Sequence, residues 1–184
     1  MNITNKNSWE NPNSFVEIRS PWLTLIGEHL QDKQGQIIDY WRVEKADSVI
    51  ILTIQSEELL LPIATYRPGL GKKTLDFPGG RVPSGQTPVA AVPKILQREL
   101  GITEAAIIHL SPLNTTGWAI NSSFSNQKLY GFVAKIDSTV SISNELLGAV
   151  YPTTKSGILS LLEDLTCLQC RALLLEWQIQ TFYC

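Results

Sequence analysis

At 184 residues the chain is long enough for one domain with a proper core and too short for two comfortable ones. Apolar content of 43% against 17% charged fits a soluble globular protein, and a net charge of −2 with no basic run gives no support for a nucleic-acid partner, so none is expected. No apolar run reaches membrane-spanning length and Met1-Asn2-Ile3-Thr4-Asn5 begins no signal peptide, so the expected setting is cytoplasmic with no membrane partner.

Residues 1–14 are Asn-rich and polar, with Pro12 and little to bury, and read as a flexible tail. Trp9 is the exception, suited to docking on the body or on a partner. A single domain is expected from residue 15 to 184, opening with N-terminal strands over 15–45. Trp22–Leu30 is strand-like, Asp32-Lys33-Gln34-Gly35 reads as a hairpin turn, and Gln36–Glu44 returns as the second strand. Ser48–Gln55 is nearly all apolar, which predicts burial on both faces. Leu59–Tyr66 reads as a fourth strand in which Pro62 marks an edge or a bulge, and residues 67–73 as a loop.

The densest signal runs from Thr74 to Ile102. Thr74–Phe77 reads as a strand closed by Pro78 and by Gly79-Gly80, a pair suited to positive φ. Ser84, Gly85 and Thr87 offer turn and cap chemistry, and Pro88 suits a first helical turn. Val89, Val92, Leu96 and Leu100 recur at helical spacing before Gly101, a stop signal. Pro93 predicts either a kink before Lys94 or a helix that starts late. Downstream, Ala105–Leu110 and Lys128–Ile136 read as strands around the polar stretch Asn114–Gln127. The C-terminal helices are expected within 153–180, split at Asp164.

Cysteines are few: Cys167, Cys170 and Cys184. Two thiols three apart in a Leu-rich helical stretch read as buried apolar fillers rather than as a redox or zinc pair. Asp39 and Asp76 have no second carboxylate nearby in sequence, so neither suggests an acid/base pair. Trp41 and Trp118 read as core or interface aromatics.

The frame from Gly80 to Ile102 resembles a Nudix box, G-x5-E-x7-R-E-U-x-E-E-x-G-U with U a bulky aliphatic, without insertion or deletion. Its chemistry is largely replaced: Gln86, Lys94, Ile95 and Arg98 stand at the first Glu, the Arg, the next Glu and the first of the paired Glu residues, and only Glu99 remains. Further stretches resemble the ADP-ribose pyrophosphatase branch of that superfamily. They are Ser20-Pro21-Trp22, Ile38-Asp39-Tyr40, Tyr66-Arg67-Pro68-Gly69, Leu75-Asp76-Phe77-Pro78-Gly79-Gly80 and Asn121–Gln127.

The resemblance implies an α/β/α sandwich around a mixed sheet, an N-terminal antiparallel strand extension, and a homodimer. In that branch box glutamates and a later-loop Glu, here Gln127, organise Mg²⁺ for attack on a diphosphate. Hard Mg²⁺ needs near-octahedral oxygen ligands, and Glu99 is the one catalytic and metal-binding candidate left. An Arg98 charge about 4 Å from such an ion costs on the order of 8 kcal/mol at an effective dielectric near 20. Two readings of the remaining site stay open. In one, Arg98 and Lys94, with Arg67 and Arg81 on loops, meet a nucleotide diphosphate in place of the metal, while Trp22 and Tyr40 stack a base. In the other, Arg98 pairs with an acid, Ile95 joins the core and the pocket is vestigial; Gly79 and Gly80 are then turn residues only.

The leading expectation is a Nudix-like protein of lost or impaired catalysis that binds a nucleotide sugar or serves as an interaction module. One rival is a working Mg²⁺ hydrolase using Glu99 with Glu104 or Glu145; another is a structural subunit of a larger assembly.

Overall fold

The computed structural model describes residues 10–182, with side chains from Ser14. Trp9 and Cys184 lie outside the described residues. The described residues fall into two compact units. Of the described residues, 10–46 and 119–127 form one unit, and 47–118 with 128–182 form the second.

The first unit is an antiparallel sheet in the order β1 (Glu10–Arg19), β2 (Thr24–Gln31), β3 (Ile37–Glu44). β1 begins inside the stretch read as tail, because pairing with β2 satisfies backbone groups whatever the polarity of their side chains. The hairpin turn falls at Asp32–Gly35 as read. The Asp32 carboxylate accepts the Gln34 and Gln36 amides at 2.9 and 2.8 Å, and Gly35 supplies a φ of 82°. Glu28 is buried and holds Arg42 at 2.8 Å. The 119–127 loop joins β3, with the Phe124 carbonyl accepting the Val43 amide at 2.7 Å.

The second unit is built on β4 (Ser48–Gln55), whose residues from Val49 to Ile54 are all buried, as the unbroken apolar run predicts. β5 (Glu58–Pro62) ends at its proline, and β6 (Thr65–Arg67) pairs instead with β7 (Lys72–Thr74) in a separate ribbon. The single strand expected over 59–66 is therefore two, and part of the expected 67–73 loop is strand.

The strand expected at Thr74–Phe77 is displaced: extended pairing resumes at β8 (Gly79–Arg81), against β4. Neither Gly79 nor Gly80 has positive φ. Their glycine character has another cause, close approach. A Cβ on Gly79 would lie 3.1 Å from the Val49 carbonyl oxygen, and one on Gly80 3.2 Å from an Arg98 nitrogen.

The helix α1 (Pro88–Leu100) has Pro93 in its interior, so the late-start reading fails. Thr87 occupies the N-cap without a side-chain cap bond, and Gly101 closes the helix at φ 70°. Pro93 costs about 3 kcal/mol and leaves the carbonyl of exposed Val89 without its helical donor. Burying Val92, Ile95, Leu96 and Leu100 returns roughly 1.5–3 kcal/mol each, which outweighs that loss.

Beyond α1 come β9 (Ile107–Pro112), the two-residue β10 (Trp118–Ala119), β11 (Lys128–Ile136) and β12 (Leu147–Pro152), the last unanticipated from sequence. Then follow α2 (Lys155–Asp164) and α3 (Leu168–Phe182). The sheet path is β11-β4-β5-β12, with β9 antiparallel to β11 and β11 parallel to β4, so the sheet is mixed. One face carries α1 over Val49, Ile51, Phe132 and Ala134. The other carries α3, where Leu173 sits so close to Gly131 that a Cβ there would lie 2.0 Å from its methyl.

Candidate functional site

The β6–β7 ribbon turns at Arg67, whose carbonyl accepts the Leu70 and Gly71 amides at 2.9 and 3.0 Å. This tight return sets Arg67 near Asp76, just past the end of β7. Arg67 Nε donates to Asp76 Oδ2 at 2.8 Å and its Nη2 lies 2.7 Å from the same oxygen. Thr74 Oγ1 donates to Oδ2 at 2.9 Å. The Asp76 side chain is 12% exposed, so this acid is held by charge and hydrogen bonds in a largely dry place.

A second ion pair closes the C-terminal end of α1. Glu99 Oε1 accepts Arg98 Nη2 at 2.6 Å, and Glu99 Oε2 accepts the Gly79 amide at 3.0 Å. Arg98 Nη2 also donates to the Gly79 carbonyl at 2.9 Å. The pair straps α1 to β8 and occupies both oxygens of Glu99.

Between these pairs lie two adjoining cavities that share Arg67, Asp76, Phe77 and Glu99. One, about 360 Å³, is bounded by Tyr66, Ile63, Leu146, Arg98 and Glu145. The other, about 470 Å³, is bounded by Gly79, Gly80, Leu70, Cys167, Gln169 and Cys170. The structure thus gathers Arg67, Gly79, Gly80, Arg98 and Glu99 from the residues expected at a site. Lys94 is exposed on α1 and lines neither cavity, nor does half-buried Arg81 in β8. Trp22, Tyr40 and Gln127 belong to the first unit. There the Tyr40 hydroxyl donates to the Ser123 carbonyl, and Gln127 Nε2 donates to the Ala46 carbonyl at 2.9 Å.

The expected Mg²⁺ does not fit the box face. That ion asks for several free oxygens in octahedral array. Here Ile95 is core, Arg98 lies 2.6 Å from the one remaining acid, and both oxygens of that acid are engaged. Among the described residues no three carboxylates bring their oxygens within 4.8 Å of one another.

Sequence reasoning missed Asp76, Tyr66 and the two thiols. Asp76 gives little local signal, because apart from Thr74 its partners, Arg67 and Cys170, come from elsewhere in the chain. Cys170 is buried as expected, but Cys167 is half-buried at the N-cap of α3, and both face the larger cavity. Cys170 Sγ donates to Asp76 Oδ1 at 3.8 Å. The Cys167 thiol falls to about 6 chiefly through the adjoining Cys170 side chain, helped by the Cys170 and Gln169 amides. Cys170 is raised by that same neighbour and by burial. The Cys-x-x-Cys spacing at the start of a predicted helix was the available signal.

Among solved structures the chain is similar to the crystal structure of an ADP compounds hydrolase, at 22% identity and a TM-score of 0.71, over 95% of this chain and 96% of that one. No protein-family model and no curated protein matches the chain. The likeness shows the fold: a mixed α/β arrangement, whose N-terminal sheet is antiparallel as the sequence led us to expect.

Proposed function

We propose that this Nudix-fold chain binds a nucleoside diphosphate derivative of the ADP-ribose class and does not hydrolyse it by the magnesium route. One observation carries this reading: Glu99, the last acid of the box, is neutralised by Arg98 and pinned by the Gly79 amide. A guanidinium stands where relatives gather carboxylates, and it lines a cavity that Arg67 also lines. Each guanidinium has five N–H donors and meets fewer protein acceptors than that, so donors remain for phosphate oxygens. Lys94, four residues before Arg98 on the same helical face, adds long-range attraction. Tyr66 and Phe77 offer the apolar wall against which a base or sugar packs.

Asp76 and Glu145 line the same cavity and favour the rival reading, a hydrolase that draws its carboxylates from outside the box. Incubation with ADP-ribose and Mg²⁺ or Mn²⁺, following AMP release, separates the two. No turnover is expected; turnover abolished by Glu99→Gln overturns our reading. Calorimetry with ADP-ribose in the absence of metal is expected to show heat that Arg98→Ala removes. No heat with any nucleotide leaves an interaction module or a structural subunit. A homodimer belongs to the same proposal, supported by the exposed Phe15, Ile18, Ile37 and Trp41 on the first unit, and light scattering reads it directly.

A further inference from the structure

The larger cavity has a wall that the diphosphate reading does not use. Asp76, Cys167 and Cys170 each offer one donor atom, and these atoms all lie within 4.8 Å of one another. Among the described residues this is the one such trio of His, Cys, Asp or Glu donors. A tetrahedral ion with Zn–S near 2.3 Å and Zn–O near 2.1 Å needs S···S edges of about 3.8 Å and S···O edges of about 3.6 Å. Cys170 Sγ and Asp76 Oδ1 stand 3.8 Å apart.

From this geometry we infer that Asp76, Cys167 and Cys170 form a binding site for a thiophilic divalent cation of the zinc class, with its fourth position open to the cavity. The two oxygens of Asp76 have separate tasks. Oδ2 is held by Arg67 and Thr74, which fixes the carboxylate plane and leaves Oδ1 toward the thiols. Such outer partners orient metal ligands and sustain their affinity. Cys167 immediately precedes a 15-residue helix and, half-buried, lines the cavity from which an ion would enter. Thiols give up their protons to bind such an ion, which makes affinity rise with pH. Two thiolates and one carboxylate select a soft ion and give Mg²⁺ no advantage. The site is separate from the Arg98–Glu99 pair, and its readout needs no nucleotide, so it stands or falls apart from the ligand reading.

The test uses the full-length chain, reduced, stripped with a chelator and titrated with Co²⁺. We expect one equivalent to bind with a thiolate-to-cobalt charge-transfer band, displaced by Zn²⁺ and unaffected by excess Mg²⁺. Cys167→Ser and Cys170→Ser abolish the band, Arg67→Ala weakens binding by roughly 10–100-fold, and Cys184→Ser leaves it intact. Far-ultraviolet circular dichroism checks each fold. Should buried Cys170→Ser fail to fold, half-buried Cys167→Ser decides the matter. A band that persists in folded Cys167→Ser overturns the inference, as does a reduced, folded wild type that gives no band and merely oxidises to a disulfide.

Discussion

The C-terminal end of α1 and the N-terminal end of α3 face the same cavity and treat charge in opposite ways. On α1, Glu99 is satisfied within the protein, by Arg98 and by a backbone amide, so the acid that could have held an ion holds β8 to the helix instead. At α3, two thiols and Oδ1 of Asp76 converge within 4.8 Å of one another. A self-neutralised pair is a strap; converging donors are a receptacle. Each acid has an arginine beside it, and the difference lies in the oxygens: both of Glu99 are engaged, whereas Arg67 and Thr74 take only Oδ2 of Asp76 and leave Oδ1 facing the thiols.

The sharpest way to probe that contrast is thiol reactivity in the reduced, metal-stripped protein. At neutral pH Cys167 is mostly thiolate and Cys170 a buried thiol, so alkylation is expected at Cys167 by about two orders of magnitude over Cys170. Because the Cys167 thiol is depressed to about 6 from its ordinary 9.0, its rate holds between those values and falls as pH drops through 6. The linked stability follows the same sign: the thiolate contribution is full above pH 9 and fades as pH falls through about 6. Peptide mass spectrometry of pulse-alkylated protein reads the site and the profile. Equal labelling of both thiols, or a midpoint near 9, would break the distinction drawn between them.

Next in size is the ion pair beneath the thiols. Asp76→Ala removes the acceptor of Arg67, of Thr74 Oγ1 and of the Cys170 thiol at once. Thr74 is buried and has nowhere else to turn, whereas Arg67 is half exposed and regains water. A loss of about 2–3 kcal/mol is expected in urea denaturation. Arg67→Ala leaves a carboxylate that is 12% exposed without its charge partner and is expected to cost a similar amount. A loss below about 0.5 kcal/mol in both variants would mean that Asp76 is not held as described.

How much of this was legible depended on the range of the interaction. β4 and β11 follow from local apolar runs and fall at Ser48–Gln55 and Lys128–Ile136 as read, and α1 stops at Gly101 as read, whereas Pro93 left its start open. The residues that stand in the box-like frame were equally plain, since Gln86, Ile95, Arg98 and Glu99 are read directly from the sequence. What stayed hidden is what the fold brings together from afar. Asp76 meets Arg67 through the β6–β7 turn and Cys170 through the docking of α3, and neither is visible as a local pattern. Gly79 and Gly80 were misjudged for a related reason: the constraint on them is the Val49 backbone and the Arg98 side chain, not their own φ. Pro62 and the ribbon after it show the limit of strand patterning, because an apolar run does not say where pairing changes partner.

Smaller effects belong to the α1 strap. Glu99→Gln keeps an acceptor for the Gly79 amide but gives up the charge on Arg98, and is expected to cost about 1 kcal/mol. It also frees Arg98, so ADP-ribose is expected to bind more tightly in this variant, by severalfold in calorimetry. Weaker binding would mean that Glu99 positions the arginine rather than competing with the ligand.

The smallest stability change is expected for Arg98→Ala, and its value lies in that smallness. The Arg98 side chain is 60% exposed, its partner Glu99 is 25% exposed, and Glu99 retains the Gly79 amide when the guanidinium is gone. An ion pair so placed contributes under about 1 kcal/mol, which for a chain of 184 residues moves the melting temperature by only a few degrees. If Arg98 serves only to strap α1 to β8, that small shift is all the variant will show. If it meets a phosphate in the cavity, the calorimetric heat with ADP-ribose disappears while the melting curve barely moves, because the charge-assisted contacts to the ligand are made by the guanidinium and by no group that alanine preserves. Unfolding and binding measured on the same preparation therefore divide the structural role from the functional one at a single residue.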